Sequence, residues 1–341
     1  MTTMTRQYPA FSDLPLTPGP RGNAWSLWGA HDELGTLNHL TPERVAAAAQ
    51  SQIRNGERIG LNWTMRGAEF PRFQHPRRSF QVKLVNKAKE GKGAVACDDE
   101  WTFNTQISSQ WDGCRHYAYQ EERLFYMGRT AEEFEKDDTP GGVQHMAKRG
   151  IAGKALLVDW WTWKVRALNK EGKTEQEVDA FSAYAIPWEE LVMAAEEQGS
   201  PLEKMDPGDV LIVRSGFLAQ YETMEDTKRR RLDELYEHTK PSNIGVRACP
   251  ELLQFLWDKQ IAAVAGDSRS FERWPCPAED QNWHLHQWLL AGWAMPIGEL
   301  WDLETLSEMC EKHKRWTFFL SSAPMNVPGG VASPPNALAF F

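Results

Sequence analysis

The chain lacks any apolar run approaching the roughly 18 residues that cross a bilayer. Its first stretch, MTTMTRQYPAFSDLPLTPGPRG, has no apolar core of signal-peptide length. Neither a membrane span nor a secretory leader is expected, and a cytoplasmic location is. Cysteine is sparse: Cys97, Cys114, Cys249, Cys276 and Cys310 are odd in number, scattered, and never form a C-x-x-C pair. A disulfide framework and a zinc ribbon are thereby disfavoured, and reduced thiols are the expectation. Positive charge is short as well, with 38 Lys and Arg against 47 Asp and Glu and a formal charge of −9. The one basic run, Lys228-Arg229-Arg230-Arg231, sits in an acidic helical pattern and reads as a solvated face, so nucleic acid is not an expected partner. No G-x-G-x-x-G, Walker loop, H-E-x-x-H or G-x-S-x-G occurs, which leaves nucleotide, zincin and serine-hydrolase chemistry without motif support.

What is present describes a packed protein. With 41% hydrophobic and 25% charged residues, the 341-residue chain can build a core as one large domain or two. Tryptophan is abundant, 16 against 7 Tyr, and can serve the core, a subunit interface or an aromatic pocket. Residues 1–22 are Pro-rich and read as a surface arm. Helix signals follow at LTPERVAAAAQSQI, where Thr41 can cap and Pro42 suits the first turn, then at 188–198 after Pro187, at PELLQFLWDKQ from Pro250, and at DLETLSEMCEKH with Asp302 as N-cap. Short apolar runs bounded by Gly, Pro or Asp, at 154–160, 208–216, 261–267 and 317–324, read as buried strands. Segments 78–84 and 101–110 alternate with period two and read as half-exposed strands. The pattern is that of a mixed α/β domain; the charged stretch 220–240 is a candidate insertion.

Two segments carry chemistry. In SSQWDGCRHYAY, residues 108–119, Asp112 and His116 stand four apart, and an extended chain would place Gln106, Ser108, Gln110 and Asp112 on one face. That face can be a ligand site or a solvated strand. In NWHLHQWLLAGWAMPIGELWDLE, residues 282–304, His284 and His286 precede an apolar helical run, and Glu299 lies in apolar surroundings where an unpaired carboxylate is costly. Pairing with a cation would explain it. Cys114, two residues from His116, can be an inert thiol or half of a Cys–His pair. His145 can line a pocket or sit at the core edge, and Asp267 and Ser268 can meet a ligand or cap a strand end.

In chain order, LWGAHDELGTLNHLTPERV, SQWDGCRH, GIAGKALLVDW, GDVLIVRSGF, AAVAGDSRSFE, LHQWLLAGWAMPIGELWDLE and SSAPMNVPGGVASPPNALA resemble the cyclase family that includes kynurenine formamidase and isatin hydrolase, most closely its larger fungal and bacterial branch. The resemblance implies a single α/β catalytic domain over 23–341, with a mixed β-barrel-like core flanked by helices, assembled as a homodimer or larger homo-oligomer. It also implies a metal motif, H-x-G-T-H-x-D-x-P-x-H, which falls on 106–116. Gln106 and Gln110 stand at its two early histidines, while Asp112 and His116 match. In two-metal members one ion is held by those early histidines and the shared aspartate, the other by that aspartate, the last histidine, a distant histidine and a glutamate. The distant pair matches His286 and Glu299.

One divalent ion is therefore expected on Asp112, His116, His286 and Glu299, zinc favoured over manganese by the two imidazoles. The expected enzyme is a hydrolase of a carbonyl C–N or C–O bond in a small aromatic or cyclic substrate, the ion lowering the pKa of water and polarising the carbonyl. Glu299 or His286 handles the proton. Gln110, Gln106 and Ser109 can orient the carbonyl or steady its developing negative charge; Ser333 and His145 are candidate substrate contacts. A metal-free lyase, isomerase or cyclase using the same Asp/His/His/Glu groups, and a protein that binds without catalysis, stay as alternatives.

Overall fold

The computed structural model describes residues 8–68, 77–89 and 94–341. Thirteen strands are defined among them: β1 (Arg58–Gly60), β2 (Gln81–Asn86), β3 (Cys97–Thr102), β4 (Gln110–Asp112), β5 (Ile151–Val158), β6 (Ala185–Ile186), β7 (Val210–Val213), β8 (Gly245–Val246), β9 (Ala263–Gly266), β10 (Ile297–Glu299), β11 (Thr317–Ser322), β12 (Ala332–Ser333) and β13 (Ala337–Phe340). Nine form one mixed sheet in the order β1-β13-β11-β5-β7-β9-β10-β4-β12, curled into a half-barrel. Its centre, β5-β7-β9-β10, is parallel, and both flanks are antiparallel. Strands β7 and β9 are buried at every position, as expected for parallel strands covered on both faces, whereas β11 alternates.

The helices follow local chemistry. Thr41 caps Pro42–Gln52 by accepting from the Arg44 amide, and Pro42 takes the first turn. Helices Trp188–Glu197 and Pro250–Asp258 begin beside or at the expected prolines. The helix expected from Asp302 runs Glu304–His313 with Leu303 at its N-cap; Asp302 instead accepts from the Glu304 amide at 3.3 Å. Helix Trp160–Lys170 escapes the sequence reading because its tryptophans continue the apolar run of β5. Asp159 makes the switch by accepting from the Thr162 amide at 3.2 Å.

The strand expected at 101–110 is interrupted. Extended structure ends at Thr102, and the Asn104 side chain accepts from the Gln106 amide at 2.9 Å, turning the chain before β4. The hairpin β2–β3 is a separate, largely exposed sheet. Residues 8–22 lie against helix Pro250–Asp258: Trp257 Nε1 donates to the Pro9 carbonyl at 2.8 Å, and Phe11 stacks on Trp288. The rest of the expected 1–22 arm lies outside the described residues. Most of the surplus tryptophan is structural, with Trp111, Trp160, Trp257, Trp293 and Trp301 buried in full. Among the described residues no helix is long and apolar enough to cross a membrane.

Candidate metal and active site

The site is organised by the antiparallel pairing of β4 with β10, which sets Glu299 opposite Gln110 and Ile297 opposite Asp112. Directly paired residues share a face. Gln110, Asp112 and Glu299 therefore project from one side of the sheet, while Trp111 projects from the other, where its indole donates to Ser322 Oγ at 2.9 Å. Asp112 and Glu299 are 0% and 3% exposed. Two carboxylates this deep need partners or a cation.

Glutamines supply half of what they need. Gln106 Nε2 donates to Asp112 Oδ1, and Gln110 Nε2 donates to Glu299 Oε2 at 2.7 Å and to Gln106 Oε1 at 3.0 Å. Each carboxylate thus has one oxygen tied to an amide. The other oxygens, Asp112 Oδ2 and Glu299 Oε1, are buried without a hydrogen-bond partner. Asp112 Oδ2 lies 3.6 Å from His116 Nε2, and Glu299 Oε1 lies 3.2 Å from His286 Nε2. The ligand atoms of Asp112, His116 and His286 fall within 4.8 Å of one another. Orphaned anionic oxygens facing two imidazoles are a donor set that fits a divalent cation.

His286 is oriented by Glu272, a residue the sequence reading passed over. Glu272 accepts from the backbone amides of Leu285 and His286 at 2.9 and 2.8 Å, and its Oε1 lies 2.6 Å from His286 Nδ1. That grip turns Nε2 toward Glu299, as outer carboxylates do for metal-bound histidines. Burial opposes a charge on His286, but the bond to Glu272 and the negative charge of Glu299 close by outweigh burial and hold its pKa above the ordinary range. Burial, reinforced by Asp112, raises that of Glu299. His116 goes the other way: burial lowers its pKa against the pull of Asp112.

The donors open into a cavity of about 550 Å³ whose wall includes Gln106, His116, His286 and Glu299. Tyr117, Trp274 and Tyr236 bring rings to it, and Arg77 and Arg269 bring charge. Residues 236–240, the end of the stretch read as a candidate insertion, line this cavity together with Pro241. Glu272 had a legible signal, a carboxylate among the aromatic residues of SFERWP. Arg77 had none, since it comes from a distant loop.

Several candidates turn out to be occupied elsewhere. Ser109, on the opposite parity from Gln110, accepts from the Trp63 amide at 2.7 Å and donates to the Leu300 carbonyl at 2.5 Å. It pins the left-handed turn at Leu300, φ 53°, just after Glu299. Ser108 donates to the Thr64 carbonyl because the segment before β4 is not extended. Ser333 pairs with Trp111 and shares its far face, where its hydroxyl bonds the Met325 amide and the Pro334 carbonyl. His145 lines a different pocket with Glu33 and bonds the Thr139 carbonyl. Both N–H groups of Gln110 are committed, so it is not available as an oxyanion donor. Cys114 bonds the Gly141 carbonyl, and burial pushes its thiol up to about 12, against a nucleophilic role. Asp267 caps backbone, accepting from the amides of Ser215 and Gly216.

A curled mixed sheet whose strands β4 and β10 carry buried carboxylates to one aromatic cavity, where imidazoles from adjoining segments meet them, is an arrangement suited to an enzyme. The Cyclase family profile, described as "Putative cyclase", matches residues 28–273, and the chain belongs to that family. Its structure is similar to the crystal structure of a novel cyclase, at 25% identity and a TM-score of 0.75, covering 94% of this chain and 100% of the other. Isatin hydrolase A from Labrenzia aggregata, bound to benzyl benzoate, shares the fold at 16% identity and a TM-score of 0.53, over 87% of this chain and 97% of its own. An isatin hydrolase bound to the product analogue thioisatinate does so at 12% and 0.53, over 86% and 95%. No curated protein matches the chain.

Proposed function

We propose that this protein is a metal-dependent hydrolase that opens a carbonyl C–N or C–O bond in a small cyclic or aromatic compound, a cyclic amide, N-formyl amine or lactone. The observation that carries the reading is the pair of buried carboxylates, each with one oxygen held by a glutamine and the other left facing an imidazole. Asp112, His116 and His286, whose donor atoms converge, would hold one divalent ion, zinc in preference to manganese, with Glu299 beside them and free to handle a proton. Such an ion supplies Lewis acidity toward a carbonyl and makes water acidic enough to ionise near neutral pH.

The chain's own residues account for the rest. Glu299, whose proton affinity burial raises, takes a proton at Oε1 and returns it to the leaving nitrogen or oxygen. Glu272 keeps His286 in one orientation throughout. Gln106 has one N–H beyond the one given to Asp112, and offers it to the substrate carbonyl. Tyr117 and Trp274 provide flat apolar walls for a ring. That two relatives are hydrolases of isatin supports a small ring compound as the substrate class.

The test is metal content and turnover of protein purified without added metal, against formamides, cyclic imides and lactones, before and after chelation. The expected result is an ion that Asp112→Asn releases and turnover that disappears with it. Undiminished turnover after complete loss of that ion would transfer the chemistry to a metal-free acid–base lyase built from the same four groups.

A further inference from the structure

On the Nδ1 side of His286, away from Asp112, a second set of donors meets. Glu272, Cys276 and His284 bring a carboxylate oxygen, a thiol sulfur and an imidazole nitrogen within 4.8 Å of one another. Glu272 and His284 are 1% and 2% exposed, and Cys276 is partly exposed. His284 Nδ1 is buried with no hydrogen-bond partner, and at 3.7 Å from Glu272 Oε1 it stands too far for a hydrogen bond. The ring does not turn freely to find one. It stacks on Tyr117 at 5.2 Å and 7° and meets Trp274 edge-on at 5.9 Å.

We infer that Glu272, Cys276 and His284 form a second metal site, distinct from the Asp112 site and suited to a thiophilic divalent ion of the zinc class. Tetrahedral zinc with bonds of about 2.1 Å to nitrogen and oxygen separates those ligands by roughly 3.4 Å, and the three donors already gather within 4.8 Å. The role of Glu272 toward His286 explains the carboxylate but not the imidazole and thiol beside it. A cation explains all three: it satisfies the buried Nδ1, binds the thiolate, and takes the lone pair of Glu272 Oε2 that the Leu285 amide leaves open, both lone pairs of Oε1 being held by His286. On binding, the Cys276 sulfur gives its proton to solvent and its electron pair to the ion. Three protein donors leave a fourth position for water. Because the same carboxylate holds His286, an ion here also stiffens the histidine that faces the Asp112 site.

The test loads the full-length, metal-stripped protein with Co²⁺ alone and reads bound cobalt and near-ultraviolet absorbance. A thiolate ligand produces a sulfur-to-cobalt charge-transfer band; the oxygen and nitrogen donors around Asp112 do not. The expected result is two cobalt ions per chain with the band present. Cys276→Ser and His284→Gln, each compared at matched circular dichroism, are expected to keep one cobalt, with the band abolished in the first and lost or much weakened in the second. Asp112→Asn is expected to lose the other cobalt and keep the band. Absence of the band in the folded wild type, or a band that survives Cys276→Ser because another thiol such as the exposed Cys97 supplies it, overturns the site. Retention of both ions in Asp112→Asn would count instead against the hydrolase site and leave the Cys276 site standing.

Discussion

Two clusters of buried charge sit near the ends of the central strands, and they are finished differently. In the first, the Arg214 guanidinium is bidentate to Glu304 at 2.9 and 2.7 Å and bonds Asp159 at 2.9 Å, while neighbouring Asp267 accepts from the Ser215 amide and hydroxyl and the Gly216 amide. None of these side chains leaves a buried polar atom without a partner. In the second, Asp112 and Glu299 are just as deep, yet each keeps one oxygen without a hydrogen bond. A buried charge with every lone pair answered holds elements together. One answered by half stores unfavourable free energy that a cation or a proton relieves, and this is the ground on which we propose the second cluster as the reactive one.

The contrast can be tested from both sides. Glu299→Gln keeps shape and removes the proton acceptor, so kcat is expected to fall by about 10²–10⁴-fold while the urea midpoint stays level or rises. A variant with wild-type kcat would remove Glu299 from the reaction. Arg214→Met strands Asp159 in the interior and leaves the partly exposed Glu304 unpaired, and urea unfolding is expected to report a loss of about 3 kcal/mol with activity per folded molecule preserved. If both substitutions cost the same stability, the two clusters do not differ in kind. Glu272→Gln weakens the grip on His286 Nδ1 without emptying it; competition with a chelator is expected to show metal affinity at the Asp112 site reduced by about 10–100-fold.

A pH-dependent effect lies away from both clusters. His39 is buried against Tyr8 and Trp28, its Nε2 has no hydrogen-bond partner, and burial, helped by Arg44, holds its pKa down at about 3. Below the ordinary histidine range the unfolded chain binds a proton that the native chain refuses. The contribution of His39 is therefore complete above about pH 6.5 and declines as the pH falls toward 3, by at most about 1.4 kcal/mol per pH unit. Urea midpoints from neutral to acid pH are expected to fall less steeply for His39→Leu than for the wild type; parallel curves would show that other groups set the acid limb.

Much of the scaffold was legible because its causes are local. Thr41 and Pro42 announce a helix start, and the apolar runs of β7 and β9 announce buried parallel strands. Asp112, His116, His286 and Glu299 could be picked out as candidates by residue type and context, and the family resemblance is what grouped them as one ligand set. The serines could not be assigned the same way. Ser109 and Ser333 look as promising as Gln106 until the fold is known: register sends Ser333 to the far side of β4, and hydrogen bonds with the Trp63 amide and Leu300 carbonyl occupy Ser109. The irregular turn at Asn104 likewise defeats any parity count made from sequence.

By itself, then, the order of residues determined which segments would be buried, where helices could begin, and that the chain holds acids and imidazoles able to grip a cation. Only the tertiary structure decided that Gln110 would meet Glu299 across 189 positions, that Gln106 would cover one oxygen of Asp112, and that Glu272 would stand behind His286. Caps and apolar runs act over one or two turns of chain and can be read there. Pairing between β4 and β10 is a contest among distant segments, and its winner is set by packing of the whole sheet.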